Sequence, residues 1–153
     1  MARPEAGHPS VAIDDARWED VDQIAALETA SFPSPWRREF FESELQAEGR
    51  FNRVARGGGR IVAYCFSMHF LDEMHVNKIA VAAAWRRHGV AKALMDDATR
   101  FARERGIASI ALEVRESNEG ARAFYRALGF EERYRRPRYY PDGETAVVMA
   151  TEL

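Results

Sequence analysis

Hydrophobic residues change their spacing along the chain, and these changes predict an alternation of helices and strands. Val21, Ile24 and Leu27 recur at helical spacing after Asp20, and Gln23 follows Asp20 at the spacing of a capping box. Helical spacing returns at 36–45, 90–101 and 119–128. Short apolar runs typical of strands occur at 11–13, 51–55, 61–69, 74–81 and 107–114, and two further strands flank a turn at 141–143.

The order of these elements, β-αα-βββ-α-β-α-ββ, indicates one α/β domain over residues 11–153. We expect a mixed central sheet of about seven strands flanked by about four helices. Asn118 is positioned to cap the helix at 119–128, which Gly129 ends. Residues 1–10 carry no such pattern and lack the apolar stretch of a signal peptide, so they are predicted to form a flexible tail.

Composition limits the classes of partner. The 153 residues are 46% hydrophobic and 30% charged, which is ordinary for a globular domain. A net charge of −2 provides no bulk attraction to nucleic acid or to a membrane, and no apolar run has the length of a membrane span. The single cysteine, Cys65, lies in an apolar run, so we expect no disulfide framework and a reducing, cytoplasmic setting.

The start of the helix at 90–101 has features of an anion site. The first backbone N–H groups of a helix have no partner within it, and its dipole is positive there. Gly89 and Ala91 are small enough for a phosphate to approach the backbone, and Arg86 and Arg87 add positive charge. An ordinary helix start is an equal alternative on spacing alone. The segment matches neither the Walker nor the GxGxxG pattern, which disfavours nucleotide sites.

Segment 86–91, RRHGVA, resembles the R/Q-x-x-G-x-G/A signature of the GNAT acetyltransferase superfamily. The resemblance extends over roughly residues 11–152. Several stretches are similar to the RimI-type subfamily, whose members acetylate the N-terminal alanine of a small-subunit ribosomal protein. These stretches are FPSPW at 32–36, NKIAV at 77–81, LEVR at 112–115 with Ser117 and Asn118, AFY at 123–125 with LGF at 128–130, and RPRYY at 136–140.

The resemblance implies acetyl-CoA as co-substrate, no metal, and a protein N-terminal α-amine as acceptor, most specifically that of a ribosomal protein. It implies that Glu113 is the general base and that Tyr125 protonates the departing CoA thiolate. The acceptor would be bordered by Phe32, Trp36, Tyr139 and Tyr140. The implied acetyl-CoA contacts are Ile79, Ala80, Val81, Arg86, Arg87, His88, Gly89, Val90, Ala91 and Asn118.

Without the resemblance, the residues favour less specific roles. Alternation places Glu113 on the solvent face of its strand, and helical spacing makes Tyr125 a core residue. His69 and His75 flank acidic residues without a recognised metal-ligand spacing, and we interpret them as belonging to a polar turn.

Departures from the subfamily pattern leave the acceptor open. Arg37 stands where serine is frequent and Arg138 where asparagine is frequent. Three alternative functions remain: acetylation of a lysine side chain or a small amine, binding of acyl-CoA without turnover, and RNA binding through arginines 133–138. The near-neutral net charge makes RNA binding the least favoured of the three.

Overall fold

The computed structural model describes residues 10–153, so the predicted tail, apart from Ser10, lies outside the described residues. The strands are β1 (Ala12–Asp15), β2 (Arg50–Gly57), β3 (Arg60–Phe70), β4 (Glu73–Val81), β5 (Ser109–Arg115), β6 (Glu131–Arg136) and β7 (Ala146–Glu152). The α-helices are α1 (Val21–Ser31), α2 (Arg38–Gln46), α3 (Val90–Glu104) and α4 (Glu119–Ala127). Short 3-10 turns precede α1 and α3, at Trp18–Asp20 and Ala83–Trp85.

The sheet has the strand order β1-β2-β3-β4-β5-β7-β6. Its neighbouring strands are antiparallel except for β4 and β5, which run parallel. Parallel neighbours need a long crossover, and α3 supplies it between β4 and β5. The predicted element order and the mixed sheet flanked by helices are therefore confirmed for residues 10–153.

Two separate groups of buried apolar side chains cover the two faces of the sheet. Ile24 of α1 and Phe41 of α2 pack with Tyr64 on one face. Leu94 of α3 and Tyr125 of α4 belong to the group on the other face. The period-2 alternation of β3 supplies both groups, because successive side chains of a strand point to opposite faces. Within residues 10–153, no helix is long and apolar enough to cross a membrane.

The capping box predicted from Asp20 and Gln23 is wrong. Asp20 is buried at the end of a 3-10 turn, where its carboxylate accepts the Arg17 backbone N–H at 2.8 Å and pairs with Arg56 at 2.7 Å. The side-chain oxygen of Gln23 accepts the backbone N–H of Ile61 at 2.9 Å. The side chains of Asp20 and Gln23 therefore bind partners on β2 and β3 instead of capping the start of α1.

Two predicted boundaries also move. Helix α2 begins at Arg38 rather than at residue 36, because Trp36 donates its backbone N–H to the Glu28 carboxylate at 2.9 Å and Arg37 is extended. The turn at 141–143 does not join two strands directly. Strand β6 ends at Arg136 and β7 begins at Ala146, so residues 137–145 form a longer loop.

Candidate active site

Strands β4 and β5 pair at their N-terminal ends and then separate. Their pairing runs from Glu73–Ser109 to Val76–Leu112, although both strands continue beyond it. At the same point the pairing of β4 with β3 shifts and leaves Asn77 as the extra residue of a β-bulge. The gap leaves residues 77–81 of β4 without a strand partner on the β5 side, so that edge is available to hydrogen-bond a ligand.

A mostly apolar cavity of about 270 Å³ lies at this gap. Tyr125 of α4 and Phe32 at the end of α1 line it on opposite sides of β4. Its complete lining is Ser31, Phe32, Ile79, Ala80, Val81, Arg86, Ala91, Ala121, Phe124 and Tyr125. The structure therefore brings together the predicted strand at 79–81, two residues of the predicted anion loop and the predicted proton donor.

The loop before α3 has the backbone shape of an anion site. Arg87 and Gly89 have φ angles of 63° and 79°, and Gly89 is the N-cap of α3. A Cβ on Gly89 would meet no heavy atom within 4 Å, so glycine serves the left-handed conformation and leaves the helix start open. Arg86 donates from Nε to the Val81 carbonyl at 3.0 Å, which ties the loop to the end of β4.

The β2–β3 hairpin supports this loop through Trp85. A Cβ on Gly57 would lie 2.6 Å from the Trp85 ring, which is closer than real Cβ contacts. Trp85 ends the 3-10 turn that leads into the loop. Glycine at position 57 is therefore required by the aromatic ring packed against it, whereas a Cβ on Gly59 in the same hairpin would meet nothing within 4 Å.

Glu113 lies beside the gap within a group of polar side chains. Its Oε1 is 3.1 Å from His75 Nε2, and its Oε2 is 3.6 Å from Arg136 Nε. The hydrogen bond from His75 lowers the pKa of Glu113 below its ordinary value, and a hydrogen bond from Tyr139 and the charge of Arg136 act in the same direction, against burial. Glu113 is partly buried, with 13% of its side chain exposed, so it is not a simple solvent-face carboxylate.

His75 is the residue of this group that sequence reasoning missed. It lies in β4 and His69 lies in β3, so the interpretation of both as turn residues is wrong. The Nδ1 atom of His75 is 2.8 Å from Asn77 Oδ1, opposite the contact with Glu113. No group of three or more His, Cys, Asp and Glu side chains within residues 10–153 is arranged to hold a metal ion.

Tyr125 combines the two roles that its sequence position allowed. It is 7% exposed and packs edge-on against Phe124 and Phe130, with ring centroids 5.1 and 5.7 Å away. It also lines the cavity. Burial raises the pKa of its hydroxyl, which keeps the group protonated. Asn118, by contrast, is exposed and caps α4, because its Oδ1 accepts the Ala121 N–H at 3.1 Å.

The bend at 32–37 is built around a buried ion pair. Glu28 is fully buried, and its Oε2 is 3.0 Å from Lys78 Nζ. The same carboxylate accepts the Trp36 backbone N–H and the Tyr64 hydroxyl. The Lys78 ammonium lies 3.8 Å from the centroid of the Phe32 ring and 5.2 Å from that of Trp36. This network holds both predicted aromatic residues next to β4.

The loop at 137–145 lies beside Glu113 and is held by Arg115. Its guanidinium is 2.9 Å from carboxylates of Asp142 and Glu144 and 4.1 Å from the centroid of the Tyr140 ring. Tyr139 packs edge-on against Tyr140 at 5.1 Å and hydrogen-bonds Glu113. Of the two predicted tyrosines, Tyr139 therefore meets the predicted base, and Tyr140 packs behind it against Arg115.

Glutamates neutralise much of the arginine run at 133–138. Arg133 is within 3.6 Å of Glu131 and Glu152, Arg135 pairs with Glu116 and Glu132, and Arg136 pairs with Glu113. A phosphate-binding surface would need these cations to be available to a ligand. The pairing disfavours the RNA-binding alternative.

Two parallel strands that separate beside an anion loop and a partly buried carboxylate are the features that the sequence led us to expect of an acetyltransferase. The sequence model of the family described as Acetyltransferase (GNAT) family matches residues 21–130, and the chain belongs to this family. The family resemblance and the enzyme class expected from the sequence are thereby confirmed.

Individual relatives match nearly the whole chain. A ribosomal protein bS18-alanine N-acetyltransferase from Escherichia coli is 35% identical over 147 residues, covering 87% of this chain and 99% of that protein. An N-alpha-acetyltransferase from Sulfurisphaera tokodaii is 32% identical over 154 residues, covering 92% of each chain. The crystal structure of the Escherichia coli ribosomal-protein-S18-alanine N-acetyltransferase aligns with a TM-score of 0.88 at 33% identity, covering 94% of both chains.

Proposed function

We propose that the protein transfers an acetyl group from acetyl-CoA to the N-terminal α-amine of a protein, by direct attack within a ternary complex. The observation that carries the proposal is that the open edge of β4 and residues of the anion loop line one cavity at the gap in the sheet, and that Glu113 lies beside this gap. The names of the relatives support the N-terminal alanine of a small-subunit ribosomal protein as acceptor, and such an acceptor implies a cytoplasmic location.

The residues present fit acetyl-CoA. The left-handed residues of the loop and the start of α3 suit a pyrophosphate, because their backbone N–H groups and the helix dipole favour negative charge. The unpaired edge at 79–81 suits the amides of the pantetheine arm. When bound, acetyl-CoA supplies the activated acetyl group. Contacts from Arg86, Arg87, His88, Val90 and Asn118 remain part of this proposal.

Glu113 and Tyr125 are proposed to move the protons. An α-amino group has a pKa of roughly 7.7–8.0, so near neutral pH it must lose a proton before its nitrogen can attack. Glu113 supports the role of proton acceptor because it lies beside the gap and is partly shielded from solvent. Tyr125 supports the role of donor to the departing thiolate, because it lines the cavity and burial keeps it protonated.

We expect acetylation of a synthetic peptide that begins with alanine and copies a ribosomal protein N-terminus. The physical reason is that the Glu113 group stands ready to take a proton from an amine positioned at the gap. Product formation is measured by mass spectrometry. Both peptides contain an internal lysine, and the matched control differs only in that its N-terminus is blocked. Equal turnover of both peptides would assign the activity to lysine side chains instead.

Replacing Gly57 by alanine is expected to weaken CoA binding by about tenfold, measured by calorimetry. The added Cβ collides with Trp85 and displaces the 3-10 turn that leads into the anion loop. Gly59→Ala is the matched control: it strains a backbone with a φ of 79° but touches nothing, so it lowers stability while CoA affinity is kept. Equal losses of affinity in both variants would contradict support of the loop by Trp85.

A further inference from the structure

The imidazole of His75 is held between two oxygen atoms. Its Nε2 is 3.1 Å from the Glu113 carboxylate and its Nδ1 is 2.8 Å from the side-chain oxygen of Asn77. A carboxylate oxygen and an amide oxygen only accept hydrogen bonds, so both contacts are hydrogen bonds only when each ring nitrogen donates. A neutral imidazole carries one N–H, and therefore this geometry is satisfied in full by the imidazolium form.

The β-bulge is what creates this arrangement. Asn77 is the extra residue of β4, and His75 precedes it at the last part of the strand that still pairs with β5. Glu113 follows directly after Leu112, the last residue of β5 that pairs with β4. The two side chains thus meet where the strands separate, at the entrance of the proposed acceptor site, and 34% of the His75 side chain is exposed.

Three side chains from different elements flank this pair. Arg136 of β6 faces Glu113 from the other side, at 3.6 Å, and opposes a positive charge on His75. Tyr139, from the loop at 137–145, hydrogen-bonds Glu113. Asn77 is the neighbour from β4 itself. The Glu113 carboxylate therefore already receives hydrogen bonds or charge from His75, Arg136 and Tyr139 before an acceptor arrives.

The reaction releases one net proton, and the site must pass this proton to solvent. The α-ammonium loses one proton, its nitrogen bonds to the acetyl carbon as the C–S bond breaks, and the nitrogen then loses a second proton. One of these protons replaces the proton that Tyr125 gives to the thiolate. The other is the net product of the reaction and has to reach solvent. A carboxylate that is already stabilised by hydrogen bonds and by the charge of Arg136 is a poor final holder for it, since efficient proton transfer needs a base matched to the working pH.

We propose that His75 holds this proton, so that the base of the site is the His75–Glu113 pair rather than Glu113 alone; this rests on the proposed function. Glu113 takes the proton from the amine and passes it to neutral His75, whose exposed side releases it to solvent. When His75 is an imidazolium, the pair cannot accept a further proton and the site is inactive. His75 acts through Glu113 and is a positioning and proton-holding residue specific to this arrangement of β4.

The direction of the His75 pKa agrees with this role. The hydrogen bond to Glu113 raises it above its ordinary value, and the bond to Asn77 adds to this, against burial and Arg136. A group with a raised pKa stays protonated to higher pH. Since turnover needs the neutral form, activity is low below that pKa and rises as the pH passes through it.

The test is the pH dependence of kcat at saturating peptide and acetyl-CoA. For the unmodified protein we expect an acid limb centred above the imidazole reference of about 6.5. In His75→Gln this limb disappears or moves to the range of carboxylates, and kcat near neutral pH falls by roughly 10²-fold with KM little changed. His69→Gln is the matched control, because His69 lies on the same hairpin in β3 and contacts the Phe101 ring rather than Glu113. It keeps the limb.

An NMR titration of the imidazole signals gives a measurement that is independent of turnover. The His75 signal is identified because it is missing from the spectrum of His75→Gln. A His75 pKa above the imidazole reference supports the inference, and a value at or below it overturns the inference. An unchanged acid limb in His75→Gln also overturns it. If the unmodified protein acetylates no free N-terminus, the proposed function fails, whatever the titration of His75 shows.

Discussion

Replacing Glu113 by glutamine is expected to lower kcat for an alanine-initiated peptide by about 10²–10⁴-fold, with KM for acetyl-CoA close to that of the unmodified protein. Glutamine has nearly the shape of glutamate but cannot accept a proton, and it removes the carboxylate that pairs with His75 and Arg136. We expect acetyl-CoA binding to be unaffected, because the proposed contacts at the anion loop and the edge of β4 do not involve this side chain. Steady-state kinetics with both substrates varied provides the measurement.

Glu116→Gln is the matched control. Glu116 follows β5 and pairs with Arg135 on the surface, with 43% of its side chain exposed. Loss of an exposed pair is worth at most about 1 kcal/mol and does not involve the gap. We expect unchanged kcat for this variant. If Glu113→Gln and Glu116→Gln retain similar activity, Glu113 is not the proton acceptor.

Replacing Lys78 by methionine is expected to cost about 3–5 kcal/mol of unfolding free energy, because it leaves a buried carboxylate without its cation. Glu28 is 0% exposed and keeps its hydrogen bonds from Trp36 and Tyr64, but not the ammonium at 3.0 Å. For a chain of this size, each kcal/mol corresponds to roughly 2–4 °C in Tm. Denaturant unfolding followed by circular dichroism measures the loss.

Two further variants separate a lost ion pair from a lost side chain. Lys92→Met removes the other lysine of the sequence, which is exposed and pairs with Asp96 on α3, and should change stability by less than about 0.5 kcal/mol. Combining Glu28→Gln with Lys78→Met removes the uncompensated charge, so the double variant should recover more than about 1 kcal/mol relative to Lys78→Met. No recovery would mean that the cost comes from packing against Phe32 and Trp36.

Parts of the fold could be predicted from local spacing, whereas parts that depend on contacts between distant residues could not. Helix α3 and the alternating strands followed from periodicity, since the spacing of apolar residues reports local geometry. The start of α2 was misplaced because the N–H of Trp36 bonds to a carboxylate eight residues earlier. The predicted cap at Asp20 failed because its partner, Arg56, is 36 residues away. Contacts between residues so far apart in the chain do not change the spacing of apolar residues, so the sequence pattern does not predict them.

By itself, the sequence determined the order of the elements, the family and, apart from His75, the candidate residues near the gap, because these depend on local spacing and on short motifs. It also indicated the helix start at Gly89, whose backbone conformation favours glycine. Only the tertiary structure decided that Glu113 is partly buried and bonded to His75, and that Tyr125 is both a core residue and a cavity wall. The physical reason is register: the bulge at Asn77 and the end of pairing at Val76–Leu112 set which side chains of β4 and β5 meet, and neither feature follows from the pattern of a single strand.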